Sequence, residues 1–342
     1  MREFSLQSYD YALPQELIAK YPLERREDAR LLVYDRKSGG ITHTHFDALF
    51  DFIPRDFTLV FNDTKVIKAR IFGEKGSGGK IELLYHKSLP DGALVQIRGR
   101  VKVGEHIHFP HGYSAKVCAL LDHGMRIVEF LYHGRPIRDL APLFESIGHI
   151  PLPPYLKRAD ESADEQEYQS VFATHHGAIA APTASLHFSP RMRDFALQHY
   201  PHAFVTLHVG AGTFLGVESE DIRGHEIHSE ELWVSAANLS LIEGAKKILC
   251  IGTTALRSVE FLSQRDLLRQ EGDYVGDCDI FLHCGNPPKK ASALLTNFHL
   301  PKSSLIMLVA SMVGLDTCKN LYAEAIAKKY RFYSYGDGML IL

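Results

Sequence analysis

The chain has 342 residues, 45% of them hydrophobic and 23% charged, with a formal net charge of −3 at pH 7. That is the composition of a folded globular protein long enough for two domains of ordinary size, and it excludes a disordered chain. The small negative charge argues against non-specific coating of nucleic acid, and residues 1–10 hold no apolar run resembling a signal peptide.

Residues 1–62 are expected to combine a short helix at 14–21 with apolar strands at 30–34 and 57–61. From 63 to 148 the pattern changes to short strand-like runs at 66–72, 80–85, 93–97, 114–121 and 126–132. Turn signals at 76–79, 90–92 and 122–124 separate them, and such spacing predicts a small barrel or sandwich. Gly148-His-Ile-Pro-Leu-Pro-Pro-Tyr155 then interrupts the chain. Beyond a charged stretch at 157–167, strands at 204–209 and 247–251 alternate with helices at 254–264 and 319–329. The apolar run 305–315 contains Ser311, is too short to span a bilayer, and reads as a buried element. The expected fold class is therefore α/β: a discontinuous main domain (1–62 and 149–342) with an inserted all-β, barrel-like domain (63–148).

Charge is not spread evenly. Between Lys65 and Lys102 nine basic residues face three acidic ones, so this stretch carries +6 and the rest of the chain −9. A specific polyanion docked on one face would explain it, and so would edge strands studded with lysine. Five cysteines without a CxxC pair are expected to be reduced thiols of a cytoplasmic protein, with no metal role.

Five polar junctions punctuate the C-terminal half. Gly252-Thr-Thr-Ala-Leu-Arg257 follows an apolar strand and opens a helix, so Gly252, Thr253, Thr254 and Arg257 suit an anion, with ordinary helix capping as the alternative. Gly210-Ala-Gly-Thr-Phe214 lacks the third glycine of a dinucleotide fingerprint, since Leu215 occupies it. Gly210, Gly212 and Thr213 then form either a ligand-approach loop behind His208 or a plain turn. His225, His228 and Glu230 do not have the spacing of a zinc protease helix; they read as a His/Glu cluster able to move protons or as a structural pair. Ala180-Ala-Pro-Thr-Ala-Ser-Leu-His187 and Leu295-Thr-Asn-Phe-His-Leu-Pro301 mount Thr183, His187 and Asn297 on turns, as binding groups or as turn-satisfying polar residues. Ser185 lacks the glycines of a nucleophile elbow, which argues against a serine hydrolase.

Together with Leu17-Ile-Ala-Lys-Tyr-Pro22, Val60-Phe-Asn-Asp-Thr-Lys65, Tyr168-Gln-Ser-Val171 and Tyr330-Arg-Phe-Tyr-Ser-Tyr-Gly-Asp337, these blocks span the chain. In this order they resemble the S-adenosylmethionine:tRNA ribosyltransferase-isomerase (QueA) family of queuosine biosynthesis. The resemblance implies a transferase-isomerase that moves the ribosyl part of S-adenosylmethionine onto 7-aminomethyl-7-deazaguanine at the tRNA wobble position. Epoxyqueuosine-tRNA, adenine and methionine would result, with S-adenosylmethionine consumed as a cosubstrate and no true cofactor or metal. It further implies a base among His208, His225, His228 and Glu230 for the carbon beside the sulfonium. His187 or Asn297 would assist the leaving adenine, and Gly252, Thr253, Thr254 and Arg257 would hold the methionine carboxylate. Lys65, Lys68 and Arg70 would contact anticodon-arm phosphates, and Phe298 or Phe214 would stack on an extruded base. The chain departs from the family pattern at Ser185, at Gly216 and in a short 98–104 stretch. Two other classes compete with this reading: a metal-dependent hydrolase built on the nineteen histidines, and a non-catalytic RNA-binding protein using the basic insert.

Overall fold

The computed structural model describes residues 2–210, 212 and 216–342. They form two compact units, one built from residues 1–65 and 166–342 and the other from 66–165.

A nine-stranded sheet organises the larger unit. Its centre is four parallel strands in the order His202–Leu207, Thr58–Asn62, Ile248–Ile251 and Ala293–Asn297. The Thr58–Asn62, Ile248–Ile251 and Ala293–Asn297 strands are buried along their whole length, which is why they read as unbroken apolar runs rather than alternating ones. Glu230–Val234 and Tyr274–Cys278 extend the sheet antiparallel on one side. On the other side come Gly338–Ile341, Arg30–Asp35 and finally Gly40–His45, a polar and mostly exposed edge strand.

Helices Pro190–His199, Ala236–Gly244 and Ser304–Val313 start where Ser189, Ser235 and Ser303 accept backbone N–H groups, each satisfying one of the unpaired donors of a first turn. Ser304–Val313 buries Ile306, Met307, Leu308, Val309, Ala310 and Met312, which accounts for the apolar run there. Among the described residues no single helix is long and apolar enough to cross a membrane; Ser304–Val313 and Leu315–Ala327 pass together by length and composition but bend by 113° at their junction.

The smaller unit is a closed barrel of six strands. Its antiparallel circuit runs Arg70–Lys75, Lys80–Leu89, Gly92–Arg98, Met125–Tyr132, Tyr113–Leu120 and His106–His108, then returns to Arg70–Lys75. Closure removes every free edge. Inward residues such as Ile71, Leu83, Val95, Ile107, Val117 and Phe130 fill the interior, and Leu143 and Phe144 of helix Ala141–Ile147 pack on it.

Three local expectations differ from the structure. Residues 14–21 contain only a single 3-10 turn, Gln15–Leu17, because Leu17 and Ala19 exchange backbone hydrogen bonds with Phe332 and draw the segment into an extended path. The run 66–72 is broken, with Thr64–Val66 and Arg70–Lys75 as separate strands. Residues 149–165 belong to the smaller unit rather than stopping at 148: Gly148–His149 pairs with Ile71 and Arg70, and Arg70 Nη2 donates to the Leu152 carbonyl at 3.0 Å.

Candidate active site

Three polar junctions converge at the carboxyl ends of the parallel strands. The neighbouring carboxyl ends of Thr58–Asn62 and Ile248–Ile251 form an edge of the kind where such folds usually bind a ligand. Asn62 spans it. Its Nδ2 donates to Leu207 O at 3.0 Å and Thr254 Oγ1 at 3.1 Å, while Oδ1 accepts from the N–H groups of Thr64 and Leu207. Gly252 takes φ +97°, a region a side chain rarely adopts, and sends the chain directly into the Thr253–Gln264 helix. The first N–H groups of that helix, which starts at this edge, carry the partial positive charge of the helix start.

Thr183 and Asn297 meet beside it. Thr183 Oγ1 donates to Asn297 Oδ1 at 2.8 Å, and Asn297 Nδ2 reaches both His187 Nε2 at 3.1 Å and the Asp337 carbonyl at 3.5 Å. That carbonyl only accepts, so the amide orientation is set and His187 Nε2 is an acceptor; the imidazole proton sits on Nδ1. Burial, with Arg331 and Arg26 nearby, pushes His187 down to about 3, so the ring is neutral. It stacks on Phe46, with centroids 4.4 Å apart.

His208 forms a second group. Its Nδ1 lies 2.7 Å from Thr64 Oγ1, and the ring packs on Gly177, where an added Cβ would come within 2.6 Å of Cε1. Burial lowers its pKa, Glu231 opposes this and His175 adds to it. Asp63 lies close by, its Oδ1 accepting from Thr206 Oγ1 at 2.5 Å and Oδ2 3.7 Å from His175 Nε2; burial raises its pKa. Asn62, Asp63, Thr64, His175 and Gly177 were not singled out from sequence. No local spacing marks Asn62, Asp63 and Thr64 as partners of residues 143 to 145 positions away.

The expected His225/His228/Glu230 cluster is not assembled as one. His225 packs edge-on against Phe281, with burial first and His228 second lowering its pKa. His228 is exposed and lies against Gly212, where a Cβ would meet its Cδ2 at 2.6 Å. Glu230 turns inward. Its Oε1 accepts from the Gly210 N–H at 2.9 Å and its Oε2 from Arg257 Nη1. Among the described residues no three His, Cys, Asp or Glu side chains converge as a metal-ligand set.

Arg257 corrects a second expectation. Its guanidinium is 6% exposed and bonds Glu230, the Ile280 carbonyl and the Cys278 carbonyl, so it braces the core and presents no fork to a ligand. Phe298 corrects a third. It is fully buried among Tyr322, Tyr330 and Phe332, where no base can stack on it. Thr213 and Phe214 lie outside the described residues.

The basic residues assigned to the polyanion differ in availability. Lys68 pairs with Glu165 at 2.8 Å, and Arg70 Nε lies 3.4 Å from Glu82. Lys65 is half-buried, whereas Arg98, Arg100 and Lys102 are exposed.

Sequence and structure comparisons agree on the family. The family model described as "Queuosine biosynthesis protein" matches residues 6–341. The S-adenosylmethionine:tRNA ribosyltransferase-isomerase of Helicobacter pylori (strain Shi470) is 55% identical over 348 residues, covering 100% of both chains. That of a Nitratiruptor species is 52% identical, covering 98% of each. The crystal structure of S-adenosylmethionine tRNA ribosyltransferase from Thermotoga maritima aligns with a TM-score of 0.55 at 29% identity, covering 98% of this chain and 100% of that one. The two competing classes are thereby set aside. The chain belongs to the queuosine biosynthesis protein family, the S-adenosylmethionine:tRNA ribosyltransferase-isomerases.

Proposed function

We propose that this enzyme transfers and isomerises the ribosyl moiety of S-adenosylmethionine onto 7-aminomethyl-7-deazaguanine at the tRNA wobble position, releasing adenine and methionine and leaving epoxyqueuosine-tRNA. S-adenosylmethionine is consumed as a cosubstrate, no resident cofactor or metal takes part, and the work is done in the cytoplasm, where tRNA is found. The observation that carries the reading is the convergence of Thr183, His187, Asn297, Gly252 and His208 at one carboxyl edge of the parallel sheet, in a chain that matches the family over its full length.

His208 is the favoured base for the proton beside the sulfonium. It is half-buried, its pKa is lowered so that it is neutral at pH 7, and Thr64 orients its ring. Glu230 is excluded from that role by its bond to Arg257, and His225 packs edge-on against Phe281. His187 at about 3 offers adenine no proton, so departure of the base is not assisted by proton transfer from it. The tRNA backbone is met by the barrel, with exposed Arg100 and Lys102 better placed for phosphates than Lys68, Arg70 and Arg98, which pair with carboxylates.

The test is one incubation of purified protein with S-adenosylmethionine and tRNA bearing 7-aminomethyl-7-deazaguanine, followed by nucleoside mass spectrometry and adenine quantification. Epoxyqueuosine and adenine should appear in equal amounts without added metal. Adenine release with an unmodified tRNA pool would overturn the proposal.

A further inference from the structure

Departure of adenine leaves one proton to be accounted for. In the proposed reaction the glycosidic C–N bond breaks with its electron pair on the purine, and a purine anion leaves slowly unless a ring nitrogen is protonated as it goes. His187 is neutral, with Nε2 accepting from Asn297, and is not that donor.

Another imidazole stands at the same strand ends. Asp63 follows the Thr58–Asn62 strand, and its backbone is fixed on both sides. Its N–H donates to the Val205 carbonyl at 3.1 Å, and its carbonyl accepts the N–H groups of Thr174 and His175 at 2.8 and 3.2 Å. That attachment brings the His175 ring to the Asp63 carboxyl, with Nε2 3.7 Å from Oδ2. Asp63 is only 7% exposed. Burial works against its charge, while the Thr206 hydroxyl on Oδ1 and the His175 imidazole work for it. Trp233 meets the imidazole edge to face, with centroids 5.0 Å apart, so the ring is held from a second side. The His175 side chain is nevertheless 43% exposed. With Nε2 turned to Asp63, Nδ1 is the nitrogen left for a ligand, and among the described residues it makes no hydrogen bond.

His175 and His208 form a contrasted pair. His208 is the more enclosed, with Nδ1 on Thr64 Oγ1, whereas His175 is more open and faces a carboxylate. Each senses the other: His175 helps to lower the His208 pKa, which Glu231 opposes. Two titratable groups held in unlike surroundings at one site are what an acid and a base require.

We propose that His175, held by Asp63, is the proton donor to the departing adenine, with His208 as the base of the earlier step. The glycosidic C–N bond breaks, its electron pair passes to the purine, and the Nδ1 proton of the imidazolium moves to a purine ring nitrogen. The imidazole is left neutral, with its Nε2 proton towards Asp63. Asp63 is the positioning residue: it orients the ring and balances its charge before the transfer. The proposal rests on the reading of the protein as an enzyme that splits S-adenosylmethionine.

The experiment measures single-turnover purine release by the full-length protein, with tRNA bearing 7-aminomethyl-7-deazaguanine. S-adenosylmethionine is compared with an analogue carrying 8-azaadenine, a purine whose anion is more stable. Wild type, which protonates the purine as it leaves, should release the two within about threefold of each other. His175→Gln should slow adenine release by about 10²–10⁴-fold but 8-azaadenine release by less than about tenfold, because the better leaving group needs no proton. A merely structural role for His175 would slow both purines equally, and that result overturns the assignment. So does a His175→Gln rate for adenine within about threefold of wild type. Folding is checked by thermal melting. If His175→Gln does not fold, wild type decides alone: release of 8-azaadenine more than about tenfold faster than adenine would mean that the purine leaves as an anion, and would overturn the proposal. Wild type that releases neither purine removes the proposed function, and the donor with it.

Discussion

Glu230 Oε2 accepts a hydrogen bond from Arg257 Nη1 with both residues enclosed, 5% and 6% exposed, and Glu230 Oε1 also holds the N–H of Gly210. The pair ties the start of the Glu230–Val234 strand to the Thr253–Gln264 helix and fixes where the loop after His208 begins. Removing one member leaves a buried charge without compensation. Arg257→Ala is expected to lower the unfolding free energy by about 3–5 kcal/mol in urea titration. Replacing both residues with apolar ones of similar size, Arg257→Met with Glu230→Leu, should recover most of it. A loss below about 1 kcal/mol for the single variant would show that the pair is not the brace described.

Ser185 is fully buried and its hydroxyl has no hydrogen-bond partner among the described residues. A buried polar group in this state costs about 1–3 kcal/mol. Ser185→Ala removes the hydroxyl and keeps the Cβ, so we expect a gain of about 1 kcal/mol, read as a raised Tm with activity retained. A lowered Tm would mean that the hydroxyl is satisfied in solution.

Stability should fall in acid for a reason that can be traced to two histidines. Burial holds His187 and His299 at about 3, well below the ordinary 6.5. Above pH 6.5 both are neutral in the folded and unfolded chain and contribute no pH dependence. As pH falls from 6.5 towards 3 the unfolded chain takes up protons that the folded one refuses, so stability is lost through that window. Each histidine contributes up to about 1.4 kcal/mol per pH unit, or about 4 kcal/mol for the two at pH 5 relative to pH 8. His299→Gln should remove about half of that slope in chemical denaturation between pH 5 and 7; an unchanged slope would assign it to other groups.

His208→Gln is expected to reduce kcat by about 10²–10⁴-fold, the usual range for loss of a general base, with S-adenosylmethionine affinity within about threefold of wild type. Because its folded pKa lies below 6.5, the acid limb of the wild-type pH profile should also fall below 6.5 as the base becomes protonated. Single-turnover adenine release measures both. A variant that retains wild-type kcat would move the base to Asp63 or His175.

Much of this architecture is legible before any tertiary contact is known. The fully buried central strands announce themselves as apolar runs, and the barrel strands as short alternating runs between glycine turns. His106–His108, which completes the barrel, has three residues and no such signal. The junctions at 183–187, 208–210, 252–254 and 297 are readable as turns with polar tips, and they lie at one edge of the sheet. Residues 14–21 carry apolar spacing suited to a helix, yet the backbone pairs with Phe332 instead.

The sequence by itself determined the strands near 30–34, 57–61, 204–209 and 247–251 and most of the barrel strands, that a small β unit interrupts an α/β unit, and which family the motifs belong to. Only the tertiary structure decided which polar groups remain available for chemistry. Arg257 and Phe298 have the right residue types for binding but are enclosed, while Thr183, His187 and Asn297 are joined in one hydrogen-bonded chain. The physical reason is that burial and partnership are pairwise properties of residues far apart in sequence. Glu230 and Arg257 are 27 positions apart, His187 and Asn297 are 110, and Thr64 and His208 are 144. Local periodicity records none of those separations, and each decides whether a side chain acts on the substrate or on the protein itself.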